Sequence, residues 1–359
     1  MNIFPIAMSS LRAWDCRTWR HVLAALIVLF APQCAQADLE KDLRISEMRK
    51  VWEQKAKDAA WYGDFDTLEQ MYARTPDDAK NPFLRADRIA SMYSGLSKTF
   101  SHEGSDAYFT QLEALTLANA VAHPQSPLAH LLHIRALTSH GWAIRGTSYA
   151  SEVSPAAWEG FARQFKQAKE YLAAHKTVVL RDSRGYADMM YMGYTAFHME
   201  LDQTWTLAQA AFKLDPYDDY PFEQMLTALL PRWGGGTPDQ VEAFIREASR
   251  LASPQWGHAM YARLYVLAFA QEYRHGLFEN TRANWQELKL GFDDLQERFP
   301  SMRNRLRYAY FACMARDLET FRTQTGVLGA TDVKTYVADI IGSNSERIWG
   351  DCKRWGDGL

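Results

Sequence analysis

The sequence predicts an all-α protein of stacked antiparallel helical hairpins, arranged as a superhelix or solenoid. Three observations carry this. Leu207 to Gly236 reads as a helix end, a Pro-marked turn, a second helix and a glycine stop. Leu207, Ala210, Ala211 and Leu214 fall at i, i+3, i+4, i+7, and Phe222, Met225, Leu226, Leu229 and Leu230 give the next helix its own stripe. Second, prolines at 76, 124, 216, 254 and 300 punctuate the chain at spacings compatible with repeats of roughly 40–47 residues, one skipped near 170–180. Third, no strand-like alternation of any length competes.

The elements follow in order. A long helix is expected over 39–62, with Ile45, Met48, Trp52, Ala56 and Ala59 on one face and Gly63 as its stop. Asp66-x-x-Glu69 opens a shorter helix reaching Arg74. Asn81-Pro82 opens the next, towards Phe100. Residues 106–122 are helical, with Ala114, Leu117, Ala118 and Val121 aligned. Ser126-Pro127 then starts a helix whose inner stripe is Leu128, Leu131 and Leu132, and a break follows from Arg145 to Pro155. Helices are expected near 156–175, 184–200 and 203–214, then after Pro221, and over 238–251, ending before Ser253-Pro254. Tyr261, Leu264, Tyr265 and Ala268 begin another stripe; 281–299 is helical up to Pro300, and 303–323 carries Leu306, Tyr310, Cys313 and Met314 inward.

Residues 1–37 read as a secretory signal peptide, 38–325 as the repeat domain and 326–359 as a C-terminal cap segment. Arg12, Arg17 and Arg20 form a basic n-region, with Met8 an alternative start. Val22–Phe30 is too short to span a bilayer, which needs about 20 residues. Ala35-Gln36-Ala37 is the small-x-small pattern, so cleavage is expected after Ala37. An uncleaved anchor is the competing reading. Removing the leader leaves 37 Lys+Arg against 42 Asp+Glu, a net of −5, with no basic block for nucleic acid. The expected protein is exported, periplasmic or secreted, without membrane insertion after cleavage. Only Cys313 and Cys352 then remain; one disulfide is the simplest reading, and two free buried thiols is the other.

The segment LANAVAHPQSPLAHLLHIRAL resembles tetratricopeptide-type repeats. The combination GWAIRGTSYASEV, LLPRWGGG, GFDDLQERFP, FACMARD and Trp349-x-x-Cys352-x-x-Trp355 is similar to a bacterial family, domain of unknown function 4034, through most of residues 106–355. That family brings no activity, substrate or catalytic residues. The resemblance implies a repeat-like fold and suggests that Cys313 and Cys352 belong together. The stretched segment Gly326 to Glu346 departs from it.

Trp142-x-x-Arg145-Gly146 and Arg232-Trp233-Gly234-Gly235 each join an arginine, an indole and glycine. Trp142, Arg145, Arg232 and Trp233 suit a groove on the concave face, where guanidinium and indole hold carboxylates or rings. They suit packing between repeats as well. His130, His133 and His140 read as a solvated polar face rather than a metal site, and no metal or cofactor is expected. Asp215, Asp218 and Asp219 read as capping and first-turn charges, not a calcium loop. G-x-S-x-G, H-E-x-x-H, the P-loop and G-x-G-x-x-G are absent, and nothing singles out carboxylates such as Asp293 or Glu297. The expectation is a protein- or peptide-binding scaffold. The alternative is a cell-envelope enzyme of the glycan-hydrolase type.

Overall fold

The structure, a computed structural model, describes residues 16–101, 104–233 and 235–358, with side chains in the first helix from residue 35 onward. Among the described residues every regular element is helical, in accord with a helical-repeat solenoid. Helix α1 (Cys16–Tyr62) precedes α2 (Phe65–Tyr72) and α3 (Pro82–Thr99). Next come α4 (Asp106–Ala122), α5 (Pro127–Arg145), α6 (Pro155–Ala174) and the single turn α7 (Lys176–Val179). Helices α8 (Ser183–Ala196), α9 (Leu201–Leu214) and α10 (Tyr220–Leu229) follow. Then come α11 (Pro238–Trp256), α12 (Ala259–Ala268), the single turn α13 (Leu277–Asn280), α14 (Trp285–Arg298) and α15 (Met302–Met314). The chain ends in α16 (Leu318–Leu328), α17 (Lys334–Ile341) and α18 (Ser345–Asp357).

The starts are set by side-chain caps. Asn81, Ser105, Ser126 and Ser154 each accept a hydrogen bond from the backbone N–H three residues on. Thr237 and Gln240 complete a reciprocal capping box. Pro82, Pro127, Pro155 and Pro238 occupy first-turn positions where no donor is missed. At Gly95 a Cβ would sit 2.2 Å from the Glu53 carbonyl oxygen, so α1 and α3 pack backbone to backbone only because that position is glycine.

Several expectations are corrected. Pro254 lies inside α11 instead of ending it. It removes the donor for the Arg250 carbonyl, and the Ser253 hydroxyl supplies one at 3.0 Å. The helix expected over 303–323 is two, α15 and α16, with Arg316 in the left-handed region at φ +59° and Asp317 capping the second. The expected boundary at 325/326 therefore falls within α16, and the cap segment holds two helices of its own. The aligned residues of α4 face outward: Leu117 is 42% and Val121 71% exposed, while Phe109, Leu112, Thr116, Asn119 and Ala120 are buried. The inward face of α4 is chosen partly by polar contacts to α5, such as Thr116 Oγ1 to His133 Nδ1 at 3.0 Å.

Cys313 and Cys352 form a disulfide with Cα atoms 5.8 Å apart. It ties α18 to α15, and Trp349 and Trp355 flank Phe321 of α16 at 5.9 and 5.5 Å between ring centroids. Of the expected leader, Arg12 lies outside the described residues, as do the side chains of Arg17, Arg20 and the apolar run. The backbone of α1 runs unbroken through Ala35-Gln36-Ala37. No helix among the described residues is long and apolar enough to cross a membrane.

The two ends of the array meet. Helix α1 packs on α3 and also on α15 and α16. Asp42 is wholly buried, accepts from Gln296 at 2.5 Å and pairs with Arg305; Ser46 Oγ accepts from the Met302 N–H at 3.1 Å. Phe83, at the start of α3, packs edge-on to Tyr217, Trp256 and Phe299 at 5.0–5.4 Å. Polar side chains of α3, α5, α8, α10, α12 and α15 converge inside this array.

Candidate functional site

The inward faces carry polar residues at helical spacing. On α8, Arg184, Asp188, Tyr191 and Tyr194 recur at i, i+4, i+7, i+10. Tyr220 and Glu223 come from α10, Arg263 from α12 and Arg307 from α15. Tyr93, Ser94, Ser97, Arg135, Tyr220, Glu223 and Arg263 border a cavity of about 270 Å³.

One side of this interior is closed by arginine–aspartate pairs. The loop between α9 and α10 presents three carboxylates, each to an arginine of another hairpin. Asp215 Oδ2 accepts from Arg74 and Arg85, both at 3.0 Å. Asp218 accepts two bonds from Arg184, at 2.9 and 3.0 Å, and one from the Ser183 hydroxyl at 2.6 Å. Asp219 accepts from Arg263 at 2.5 Å, and Arg263 lies 3.3 Å from Glu223. The expectation of caps and first-turn charge is thereby corrected. Asp215 and Asp218 do accept from local N–H groups, at 3.2 and 3.3 Å, but their main partners come from elsewhere in the fold. Tandem guanidinium bonds of this kind are strong and directional. Arg184 is further held between the Tyr93 and Tyr220 rings, 4.5 and 4.3 Å from their centroids. Arg49 forks onto Asp87 at 2.6–2.9 Å.

The other side is open and its charges are unbalanced. Asp188 is pushed up to about 7, by burial first, against the pull of Arg135 and Arg184. Glu223 is pushed up to about 7 by burial and then by the Asp219 carboxylate. Arg307 is lowered to about 9 by burial and by Arg303, Arg263 and Arg49 around it. Titratable groups shifted this far by burial and specific charge partners single out this region as the candidate site.

The four residues singled out by sequence are placed as follows. Trp142 and Trp233 come together, ring centroids 6.3 Å apart and edge to face. The Trp142 indole donates to the Tyr191 hydroxyl, and Tyr194 packs on Trp233 at 5.3 Å. Tyr191 and Tyr194 are on the inward face of α8, so this aromatic rim continues to Tyr220 and the cavity. Arg145 is engaged locally: it donates to the carbonyls of Gly146 and Ser148 at 3.0 and 2.7 Å and lies between the Trp142 and Trp158 rings at 5.4 and 5.2 Å, while its buried Nε has no acceptor among the described residues. Gly146, at φ +75°, makes the turn that brings those carbonyls round. Arg232 is 70% exposed and 3.9 Å from Glu272.

The histidines correct another expectation. His130, His133 and His140 are 1%, 6% and 4% exposed, because α5 is enclosed by α4, α6 and α8 and has no solvated face. His130 meets Tyr171 at 2.7 Å, and His140 meets Glu113 and Asp106 at 2.7 and 2.9 Å. Burial lowers His133 to about 4. No metal-holding group of three such residues occurs among the described residues. Asp293 accepts from Tyr308 at 2.8 Å, whereas Glu297 is 77% exposed beside Arg298.

Sequence reasoning missed Arg135, Asp188, Glu223, Arg263 and Arg307. The usable signal was charge and tyrosine recurring at helical period, as on α8, within helices otherwise taken as core. Set against known proteins, the chain matches no family model, no curated protein and no solved structure.

Proposed function

We propose that this is an exported binding scaffold that takes a protein or peptide segment against its arginine- and tyrosine-lined inner face. The observation that carries the reading is the aromatic cluster of Trp142, Trp233, Tyr191 and Tyr194, with Tyr191 close enough to Tyr220 and Arg135 at the cavity to feel both. Aromatic rings and guanidinium groups are the side chains that dominate recognition hot spots. Repeat folds suit partner binding through the surface that their inner helices create. The signal-peptide pattern supports export and the periplasm, and the sequence motifs support kinship with the family they resemble. A tagged chain used as bait in envelope extract should retain one stoichiometric partner, and Trp233→Ala should release it while the melting temperature holds. Retention unchanged by Trp233→Ala and Arg135→Ala, with both variants folded, would contradict the reading. N-terminal sequencing of exported chain should begin at Asp38.

A second reading, an envelope enzyme of the glycan-hydrolase type, is favoured by one observation. Asp188 and Glu223 are two carboxyl groups pushed up to about 7, both near enough to Tyr220 to act on it, which supplies the pair of carboxyls such an enzyme needs. Release of soluble fragments from peptidoglycan, abolished in Asp188→Asn and Glu223→Gln, would establish it; no release by the folded wild type would dismiss it.

A further inference from the structure

The interior arginines divide by partner. Arg49 has Asp87, Arg184 has Asp218, and Arg263 has Asp219 and Glu223. Arg135 has none: among the described residues no carboxylate lies within 4.0 Å of it. One Nη donates to Ser97 Oγ at 2.8 Å, while its buried Nε finds no acceptor. Among the described residues Arg307 donates only to Asn304 Oδ1 of its own helix, at 3.4 Å, with Arg303, Arg263, Arg49 and Glu223 near enough to act on its charge. Arg135 thus borders the cavity with a donor to spare, and Arg307 adds charge close to it. The planar fork of a guanidinium matches the paired oxygens of a carboxylate or phosphate.

We propose that the cavity among α3, α5, α8, α10 and α12 binds an oxyanion, the carboxylate or phosphate of a ligand, through Arg135, with Arg307 of α15 adding positive charge from behind Arg263 and Glu223. This rests on the binding-scaffold reading and names the chemistry the scaffold selects. The Tyr93 and Tyr220 rings wall the cavity, and a volume of about 270 Å³ admits one acidic side chain, a chain terminus or a small free anion. The two carboxyl groups set the conditions. Asp188 faces Tyr93 of α3, Arg135 of α5, Tyr220 of α10, and Tyr191, Arg184 and Asp182 beside it; Glu223 faces Tyr220, Asp218, Asp219, Arg263, Arg184 and Arg307. Both take up protons as pH falls through about 7, which leaves the cavity more positive. Anion affinity therefore rises from pH 8 to pH 6, by roughly tenfold for removal of one nearby unit charge.

The test is calorimetric titration of the full mature chain with inorganic phosphate, citrate, octaglutamate and octaglutamine at both pH values. Arg135→Met and Arg307→Met are the variants, Arg135→Lys and Arg307→Lys keep the charge but lose the fork, and Arg347→Ala on the surface is the control. Support is binding of phosphate or a carboxylate probe, but not octaglutamine, that weakens about tenfold or more in the Met variants. The Lys variants should recover part of it with unchanged thermal melts, which separates lost recognition from lost folding. Phosphate binding alone assigns a phosphorylated ligand, and octaglutamate or citrate binding alone a carboxylate. Equal affinity in folded wild type and all four variants overturns the proposal. So does the absence of any anion binding at pH 6: if the envelope partner is still retained, the scaffold reading survives; if not, both fail.

Discussion

Two neighbouring parts of the interior use the same residue types to opposite ends. Around the 215–219 loop the space is packed shut, with about 10 Å³ left, and its arginines end on carboxylates. Around Arg135, Glu223 and Arg263 about 270 Å³ stays open, and among the described residues Arg135 there has no carboxylate within 4.0 Å. Arginine is the residue for buried pairs and for oxyanion recognition alike, so residue type does not separate the roles. Completion of the pairs does. A finished pair fixes helix to helix, whereas an unfinished one leaves donors and charge for something else.

The sharpest way to break this comparison is to unmake a finished pair. Arg184→Met leaves Asp218 buried without its cation, and a loss of about 3–5 kcal/mol is expected in chemical denaturation. A loss under about 1 kcal/mol would show that the loop clamps are ornamental. Away from both regions, Cys313→Ser with Cys352→Ser sets a scale: about 2–4 kcal/mol less stability, with faster amide exchange across residues 345–357.

Smaller effects belong to the open side. The ordinary value for Asp188 is 3.8, and the folded chain raises it to about 7. Its contribution to stability is therefore fully present below about pH 4 and is lost as pH rises through about 7. Asp188→Asn should flatten that decline and stabilise the chain by about 1 kcal/mol at pH 8, read from melts across pH 4 to 8. A steeper decline in the variant would reverse the assignment. Least of all, Arg307→Met should leave stability within about 1 kcal/mol of wild type or raise it, since it removes a cation among cations.

Much of the fold was legible because helix signals are local. Asn81-Pro82, Ser126-Pro127 and the stripe at Phe222 to Leu230 each define an element within a few residues, and the structure has them there. Pro254 misled because a hydroxyl one residue earlier repairs the gap it makes. The candidate site was legible only at its rim, where Trp142 and Trp233 stand out by composition. Its charged part joins residues as distant as Tyr93 and Arg307, and no local pattern reports which inward polar residues will meet. The same holds for Asp42 and Arg305, whose pairing brings the ends together. His130, His133 and His140 failed for a related reason. Helical spacing places them on one face, but only the packing of α4, α6 and α8 tells whether that face meets water.

The most direct test of the central claim is retention of the envelope partner by the Arg307→Met chain, measured well below its melting temperature. Undiminished stability with the partner lost is the expected result. A chain that melts early while still holding the partner would mean that Arg307 belongs to the framework and that the open side of the interior is not where binding occurs.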